Sequence, residues 1–201
     1  MRISAIALAL QLLSLLPCLA APSFDLVDLS LEELMDIKVE LVARRPQRLA
    51  DVPAAISVLT ADDIRRSGAR SIPDALRLVP GVQVARVDAN KWAISARGFN
   101  GLFANKLLVL IDGRTVYSPL FSGVFWEAQD VVLEDVERIE VIRGPGGTLW
   151  GANAVNGIIN IVTRPAADTR GALAEVFASG RGSEQITARY GGSLSPHADY
   201  R

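Results

Sequence analysis

Apolar residues along the chain form short clusters and alternating runs rather than long helical stripes. Segments of alternating or β-branched residues predict six strands, at 55–59, 82–86, 92–96, 107–111, 138–142 and 158–162. Two short helices are predicted between the first strands, because Thr60 and Ser71 are good N-cap residues and Gly68 suits a left-handed C-terminal position. A further helical turn is predicted over 131–136. Interspersed strands and short helices favour an α+β, mixed-sheet domain.

Residues 172–192 have a different pattern. Segments 172–178 and 186–190 are joined by the polar G-R-G-S-E-Q, which predicts one β-hairpin with a polar side and an apolar side. Such a hairpin packs on a soluble domain, or it forms the first two strands of a transmembrane barrel, whose strands carry an equally weak signal. Periodicity alone leaves both interpretations open.

The first twenty residues have the pattern of a secretory signal peptide. Arg2 gives a basic start, 3–16 is almost wholly apolar, and small residues at Cys18 and Ala20 suit cleavage after Ala20. A run of about 14 residues is too short to cross a bilayer core of about 30 Å. We therefore expect an exported protein, and no later window of the sequence has the apolar length of a transmembrane helix.

Residues 21–49 carry too little apolar area to fold alone and are interpreted as an N-terminal arm. A short helix is predicted over 25–36, with Ser30 as its N-cap. Alternating apolar and charged residues at 37–41 favour an extended segment, and Pro46 interrupts the basic stretch that follows.

Composition and charge exclude several classes of function. The chain has 201 residues, of which 50% are hydrophobic and 21% charged, with a net charge of -1. This balance excludes a strongly basic nucleic-acid binder. One Cys and one His exclude a disulfide framework and a His/Cys metal cluster, so we expect no metal, no cofactor and no histidine-based catalysis. A carboxylate pair among Asp112, Glu127 and Asp130 is the remaining enzymatic option, and solvated loop acids are the favoured interpretation.

Residues 139–163 read I-E-V-I-R-G-P-G-G-T-L-W-G-A-N-A-V-N-G-I-I-N-I-V-T, with five glycines between positions 144 and 157. A phosphate-binding loop is disfavoured, because the spacing matches neither nucleotide motif, the loop has no lysine and no helix is expected after it. Asn156-Gly157 instead predicts a tight turn before a strand. The composition suits a folded backbone that another surface approaches closely.

This glycine-rich segment resembles the plug domain of TonB-dependent outer-membrane receptors. The matching motifs are Ile139–Pro145, Leu149–Gly151, Ile158–Thr163, Asp62–Ile64 before Gly68, Ile72–Val82, Arg97–Phe99 and Leu108–Arg114. The resemblance covers residues 50–165. It implies a plug inside a barrel of about 22 strands in the outer membrane. Such a receptor binds a scarce nutrient of siderophore, haem or cobalamin type and admits it when TonB pulls on the plug.

The resemblance also implies roles for particular residues. The segment Ile37, Lys38, Val39, Glu40, Leu41, Val42 and Ala43 occupies the place of the TonB box, whose partner is the TonB C-terminal domain with its inner-membrane energising complex. An extended segment of this kind can add a strand to a partner sheet. Arg97 and Arg143 match arginines that pair with barrel-wall glutamates. Ordinary linker and surface roles are the alternatives for both sets.

Seven of the twelve aromatic residues lie between positions 92 and 126. By analogy with the family, the loops at about 86–93 and 115–127 contact substrate, through Trp92, Tyr117, Phe121 and Trp126. Some aromatic residues of this cluster are also expected in the core.

The remaining segment, 166–201, is interpreted as the start of a barrel, and a barrel of this size requires on the order of 400 residues. We therefore expect the sequence to be a piece of a longer receptor. The alternative is a free periplasmic ligand-binding module that uses the plug fold without a barrel.

Overall fold

The computed structural model of the protein describes residues 38–39, 47–48, 54–120, 122–178 and 184–201. The predicted signal peptide and the predicted helix at 25–36 lie outside the described residues. Of the helices in the described ranges, none combines the length and the apolar character needed to cross a membrane.

Short strands dominate the structure. In chain order they are β1 Lys38–Val39, β2 Gln47–Arg48, β3 Ile56–Thr60, β4 Val82–Arg86, β5 Trp92–Ala96, β6 Leu107–Ile111, β7 Arg114–Thr115, β8 Tyr117–Ser118, β9 Gly123–Val124, β10 Val136–Ile142, β11 Gly157–Thr163, β12 Gly171–Ala178, β13 Glu184–Ser195 and β14 Ala198–Tyr200. The α-helices are α1 Ala61–Ser67, α2 Ile72–Leu76 and α3 Gly147–Trp150, and 3₁₀ turns cover Trp126–Ala128, Leu133–Asp135 and Ala166–Thr169. All six strands predicted from the sequence are present within one or two residues.

A five-stranded mixed sheet forms the centre, in the order β3-β10-β11-β6-β7. β10 pairs antiparallel with both β3 and β11, whereas β11 and β6 run parallel. The larger core packs on one face of this sheet, where Ile139, Ile159 and Val109 meet the helices and β5. A smaller cluster around Ile158 and Leu108 covers part of the other face. The α+β class predicted from the sequence is confirmed.

The two predicted helix starts are confirmed by their caps. Thr60 and Asp63 form a reciprocal capping box at the start of α1, and Gly68 ends that helix with φ 70°. Ser71 accepts a hydrogen bond from the backbone N–H of Asp74 at the start of α2. The helical turn predicted over 131–136 is shorter than expected, because it is a single 3₁₀ turn before β10 begins.

As expected, a strand rather than a helix follows the glycine-rich loop, since β11 begins at Gly157, but the loop itself holds a short helix that the sequence did not predict. The glycine-rich stretch contains the one-turn helix α3, whose Leu149 and Trp150 N–H groups both donate to the Gly146 carbonyl. Small residues let this turn fold back on the sheet, since a Cβ on Gly146 would lie 2.5 Å from the Ile158 Cδ1. The stretch is therefore a packed part of the domain.

The C-terminal hairpin is a three-stranded sheet of its own, β12-β13-β14. Its register pairs Val176 with Ile186 and Ala174 with Ala188 on one face, and Glu175 with Thr187 on the other. The face with Glu175 is directed toward the rest of the structure, because Glu175 forms an ion pair with Arg70. The opposite face is exposed and apolar.

Candidate functional site

Two loops meet at one end of the central sheet. Residues 97–106 follow β5 and lead into β6, and residues 143–156 connect β10 to β11. The backbone N–H groups of Val155 and Asn156 both donate to the Lys106 carbonyl, which joins the two loops. The sequence motifs R-G-F and R-G-P therefore lie at the same end of the domain.

This end brings Arg97 and Arg143 toward Gly81. In the β4–β5 ladder Val82 pairs with Ala96; Gly81 immediately precedes Val82 and Arg97 immediately follows Ala96, so both lie beside this end pair. A Cβ on Gly81 would lie 3.3 Å from the Arg143 Cδ, so the Arg143 side chain crosses this glycine. Arg97 is exposed. The Arg143 Nε is buried and has no hydrogen-bond partner among the described residues.

The backbone at Arg97 is strained. Arg97, Gly98 and Phe99 have φ values of 58°, 92° and 57°, three left-handed residues in succession. A non-glycine residue in this region costs on the order of 1 kcal/mol or more, and such strain concentrates at functional sites. The turn projects Arg97 and Phe99 outward, and both side chains are exposed.

The two loops predicted to contact substrate lie in different places. The 86–93 loop is at the end of the β4–β5 ladder away from Gly81 and Arg97, whereas the chain after β7 returns to the 97–106 loop, where a Cβ on Gly123 would lie 3.5 Å from the Phe103 Cα. Tyr117 lies on β8, which pairs with β9 in a small hairpin, and it is half-buried. Leu120 at the tip of this hairpin is fully exposed, a feature that the sequence analysis did not single out. Phe121 lies outside the described residues.

Trp92 and Trp126, predicted to contact substrate, are both buried members of the larger core. Trp92 lies in the strand that the sequence predicts at 92–96. Trp92 opens strand β5, and the guanidinium groups of Arg77 and Arg86 lie 5.3 Å and 5.4 Å from its ring centroid. Burial in the core accounts for both side chains, so a contact with substrate stays a prediction that this placement weakens.

A cavity of about 670 Å³ lies between the domain, on the side of the 86–92 loop and residues 126–134, and the inner face of the C-terminal hairpin. Its lining includes Arg70, Glu134, Glu175 and Phe177, with the edges of both buried tryptophans. Arg70 spans it, donating to the Glu175 carboxylate at 2.9 Å. Neither Arg70 nor Glu175 carries a recognisable sequence signal, and sequence reasoning missed both.

Crowded carboxylates border this cavity. Desolvation raises the pKa of Glu134 above its ordinary value of 4.5, and the hydrogen bond to Glu175 and the charges of Glu175 and Asp135 raise it further. The folded state therefore disfavours ionised Glu134. The free energy of unfolding is therefore not lowered by Glu134 below pH 4.5, and it falls as the pH rises through the folded-state pKa of this group.

Glu134→Gln is expected to raise the stability of the protein at neutral pH and to leave it almost unchanged below pH 4.5. The physical reason is that glutamine keeps a hydrogen-bonding group but carries no charge beside Glu175. Urea unfolding at a series of pH values measures the difference, and Glu184→Gln, an exposed acid of the same cavity, is the matched control. A constant stability gain across the pH range would contradict the explanation.

The acids considered for acid–base chemistry are not gathered into one site. The Asp112 carboxylate accepts hydrogen bonds from the Thr163 N–H at 2.7 Å and from the Thr163 hydroxyl at 2.9 Å, which fixes the end of β6 to the end of β11. Glu127 and Asp130 instead line the cavity. Among the residues that the structure describes, no group of three or more His, Cys, Asp or Glu is placed to hold a metal ion.

Part of the predicted TonB box is extended. Lys38 and Val39 form β1, which pairs antiparallel with Gln47 and Arg48 of β2. Val39 is fully buried. Ile37, Glu40, Leu41, Val42 and Ala43 lie outside the described residues, so the assignment of the box stays a prediction.

Known proteins match this architecture and its motifs. The family model described as TonB-dependent Receptor Plug Domain matches residues 48–158. The vitamin B12 transporter BtuB of Vibrio vulnificus (strain CMCP6) is 34% identical over 145 residues, 71% of this chain and 23% of that protein. The iron-regulated outer membrane virulence protein of Vibrio cholerae is 40% identical over 123 residues, 59% of this chain and 18% of that protein.

Solved structures give the same fold. The pyoverdine outer membrane receptor FpvA of Pseudomonas aeruginosa PAO1 superimposes with a TM-score of 0.61 at 23% identity, over 79% of this chain and 22% of that receptor. The ferric-catecholate import receptor Fiu of E. coli K12 gives 0.53 at 26% identity, over 76% of this chain and 20% of that receptor. The chain thus spans about a quarter or less of the length of these relatives. It belongs to the TonB-dependent receptor plug domain family.

Proposed function

We propose that this chain is the plug and first barrel strands of an outer-membrane receptor that gates the energised uptake of a scarce nutrient. The observation that carries the proposal is the orientation of the hairpin faces. Val176, Ile186 and Tyr190 point outward with 75%, 79% and 64% of their surface exposed. Glu175 and Arg189 point inward and form ion pairs with the domain.

This orientation, with the apolar face outward, is opposite to the one expected for a sheet that packs on a soluble domain. A sheet on a soluble domain buries its apolar face, because removing apolar area from water stabilises it by about 25 cal/mol per Å². Barrel strands in the outer membrane alternate apolar toward lipid and polar toward the lumen. The hairpin has this second arrangement, which supports a barrel wall against the plug and disfavours a free periplasmic module.

Arg97 and Arg143 fit a plug enclosed by a polar wall. A guanidinium nitrogen without a hydrogen-bond partner is costly when buried, as it is at Arg143. Carboxylates from a surrounding barrel would satisfy both arginines, in agreement with the role that the family resemblance implies. The strained turn at Arg97 holds one of the two groups outward for such a contact.

The nutrient we propose is an iron–siderophore complex or a cobalamin. Relatives named for vitamin B12 transport, iron regulation and pyoverdine binding support these two classes. TonB, acting with its inner-membrane energising complex, is the proposed source of energy, and it would bind the extended segment 37–43.

Deleting residues 37–43 from the full-length receptor is expected to abolish binding of the TonB C-terminal domain and TonB-dependent uptake. The receptor should still fractionate with the outer membrane, since the deletion leaves the domain and hairpin intact. Pull-down with the TonB domain, nutrient-limited growth and membrane fractionation measure the three properties. Deleting 25–31, a segment of the same length in the arm, is the control.

Two results separate the parts of this proposal. Unchanged TonB binding after the 37–43 deletion would show that the box lies elsewhere. An undeleted receptor found in the periplasm, or one whose uptake is the same in cells without TonB, would refute the proposed function itself.

A further inference from the structure

The inner face of the hairpin contacts the domain at two charged sites of different character. Nearer the base, the Asp135 carboxylate accepts from Arg189 at 2.9 Å and lies 3.5 Å from the Arg201 Nε. Farther toward the tip, Arg70 pairs with Glu175 at 2.9 Å. We refer to the first as the anchor and to the second as the strap.

The anchor is buried. The side chains of Asp135 and Arg189 are 2% and 14% exposed, and Arg189 also donates to the Thr169 and Gly171 carbonyls. Opening such a pair leaves charged groups in a desolvated place, which is strongly unfavourable. The base of the hairpin is therefore firmly joined to the domain.

The strap is exposed. The side chains of Arg70 and Glu175 are 42% and 37% exposed, so water screens their attraction and can replace it. The Arg70 guanidinium also lies 3.8 Å from the centroid of the Phe177 ring, which adds a cation–π contact. Both contacts depend on one side chain, in the segment between α1 and α2.

Arg70 is placed where it limits access to the cavity. The cavity is lined on the hairpin side by Glu175, Phe177 and Thr187, and on the domain side by residues that include Val132 and Arg70 itself. Its walls are thus joined across the open space by the Arg70 side chain. Glu134, which hydrogen-bonds to Glu175, borders the same contact.

We infer that Arg70 is a releasable strap: its contacts with Glu175 and Phe177 keep the cavity between plug and hairpin narrow, and their loss widens it while the Asp135–Arg189 anchor holds. This inference rests on the proposed function, because it takes the hairpin as barrel wall and the domain as plug. The inference adds that plug and hairpin separate first at the contact of Arg70 with Glu175.

The test reports on access to the cavity. In the full-length receptor, with any cysteine beyond residue 201 replaced by Ser, Val132→Cys introduces a thiol on the domain side of the cavity. Residues 1–201 otherwise contain one cysteine, Cys18 in the predicted signal peptide. The rate of labelling by a charged thiosulfonate reagent is measured on intact cells. Arg70→Gln removes both contacts and is expected to raise this rate. The increase should be only about fivefold, because a surface ion pair and a cation–π contact are each weak.

Two further variants make the test specific. Arg66→Gln removes the same charge four residues earlier, where Arg66 pairs with Asp62 of its own helix, and should label at the original rate. Arg70→Glu combined with Glu175→Arg reverses the pair and should return labelling toward that rate. A rate unchanged by Arg70→Gln, equal acceleration by Arg66→Gln, or no recovery in the reversed pair would each overturn the strap.

The proposed function is measured separately in the same cells. TonB-dependent growth on the limiting nutrient and outer-membrane fractionation of the Val132→Cys receptor test it without reference to Arg70. Normal uptake with unchanged labelling overturns the strap alone, whereas loss of TonB dependence in the unmodified receptor overturns both.

Discussion

Gly157→Ala is expected to destabilise the protein by about 3 kcal/mol, because the added methyl group has no space and its nearest neighbour is backbone. A Cβ at this position would lie 2.6 Å from the Ile142 carbonyl oxygen and 3.1 Å from the Leu107 Cδ1. Gly157 begins β11, beside the end of β10 and in register with Leu107 of β6. Relief of the clash requires the central strands to separate where they pair.

The control for this substitution lies in the same glycine-rich stretch. A Cβ on Gly144 would meet no heavy atom within 4 Å, and Gly144 is not among the glycines with positive φ. Gly144→Ala is therefore expected to change stability by less than about 1 kcal/mol. Urea unfolding followed by tryptophan fluorescence measures both variants, and equal midpoints would show that the close approach at Gly157 is not structurally important.

The features that the sequence predicted well are local ones. Thr60 and Ser71 cap their helices with groups three residues away, so the signal and the structure lie within one turn. Strand positions follow from runs of branched apolar residues that stay buried on both faces, leucine-rich in β6 and β-branched in β11. Such elements are determined by neighbours in the chain and need no knowledge of distant contacts.

The features that the sequence did not predict depend on distant contacts. Trp92 and Trp126 lie in segments rich in turn residues, and only the packing of β5 and the 3₁₀ turn against the sheet places them in the core. The burial of Glu140 within the predicted strand is not indicated by its sequence neighbours. Glu140 is fully buried because β3 and β11 flank it, and Arg138 donates to it at 2.8 Å.

The hairpin shows how tertiary structure resolves an ambiguity of pattern. Alternation along 172–190 defines two faces but does not state which one meets the domain. The ion pairs of Glu175 and Arg189 fix that choice, since their partners Arg70 and Asp135 belong to the domain. The apolar face is thereby directed outward, so geometry rather than periodicity supports the proposed membrane orientation.

For the predicted arginine sites, the sequence identifies the residues, whereas their surroundings depend on tertiary structure. Arg97 and Arg143 were singled out through motifs in separate parts of the sequence, and the structure places them at one end of the domain near Gly81. The motifs do not reveal that Arg143 lacks a hydrogen-bond partner for its Nε among the described residues. That orphaned donor is the structural reason to expect a carboxylate from elsewhere.

Arg189→Met is expected to destabilise the contact between hairpin and domain by about 3 kcal/mol, because it leaves the Asp135 carboxylate buried without its nearest cation. Asp135 is 2% exposed, and Arg201, its other cation, is 3.5 Å away. Arg170→Met is the matched control. Arg170 also pairs with an acid of the hairpin, Asp199 at 2.8 Å, but its side chain is 55% exposed, so its loss should cost less than about 1 kcal/mol.

A double variant separates charge from packing at this anchor. Asp135→Leu combined with Arg189→Met removes both charges and keeps apolar volume, so it should recover most of the stability lost in Arg189→Met. Hydrogen exchange of the β12 and β13 amides measures the effect where the hairpin joins the domain, and urea unfolding measures it for the whole protein. If Arg189→Met and Arg170→Met cost the same, burial does not strengthen the anchor. The distinction between a firm base and a releasable tip of the hairpin would then have no energetic basis.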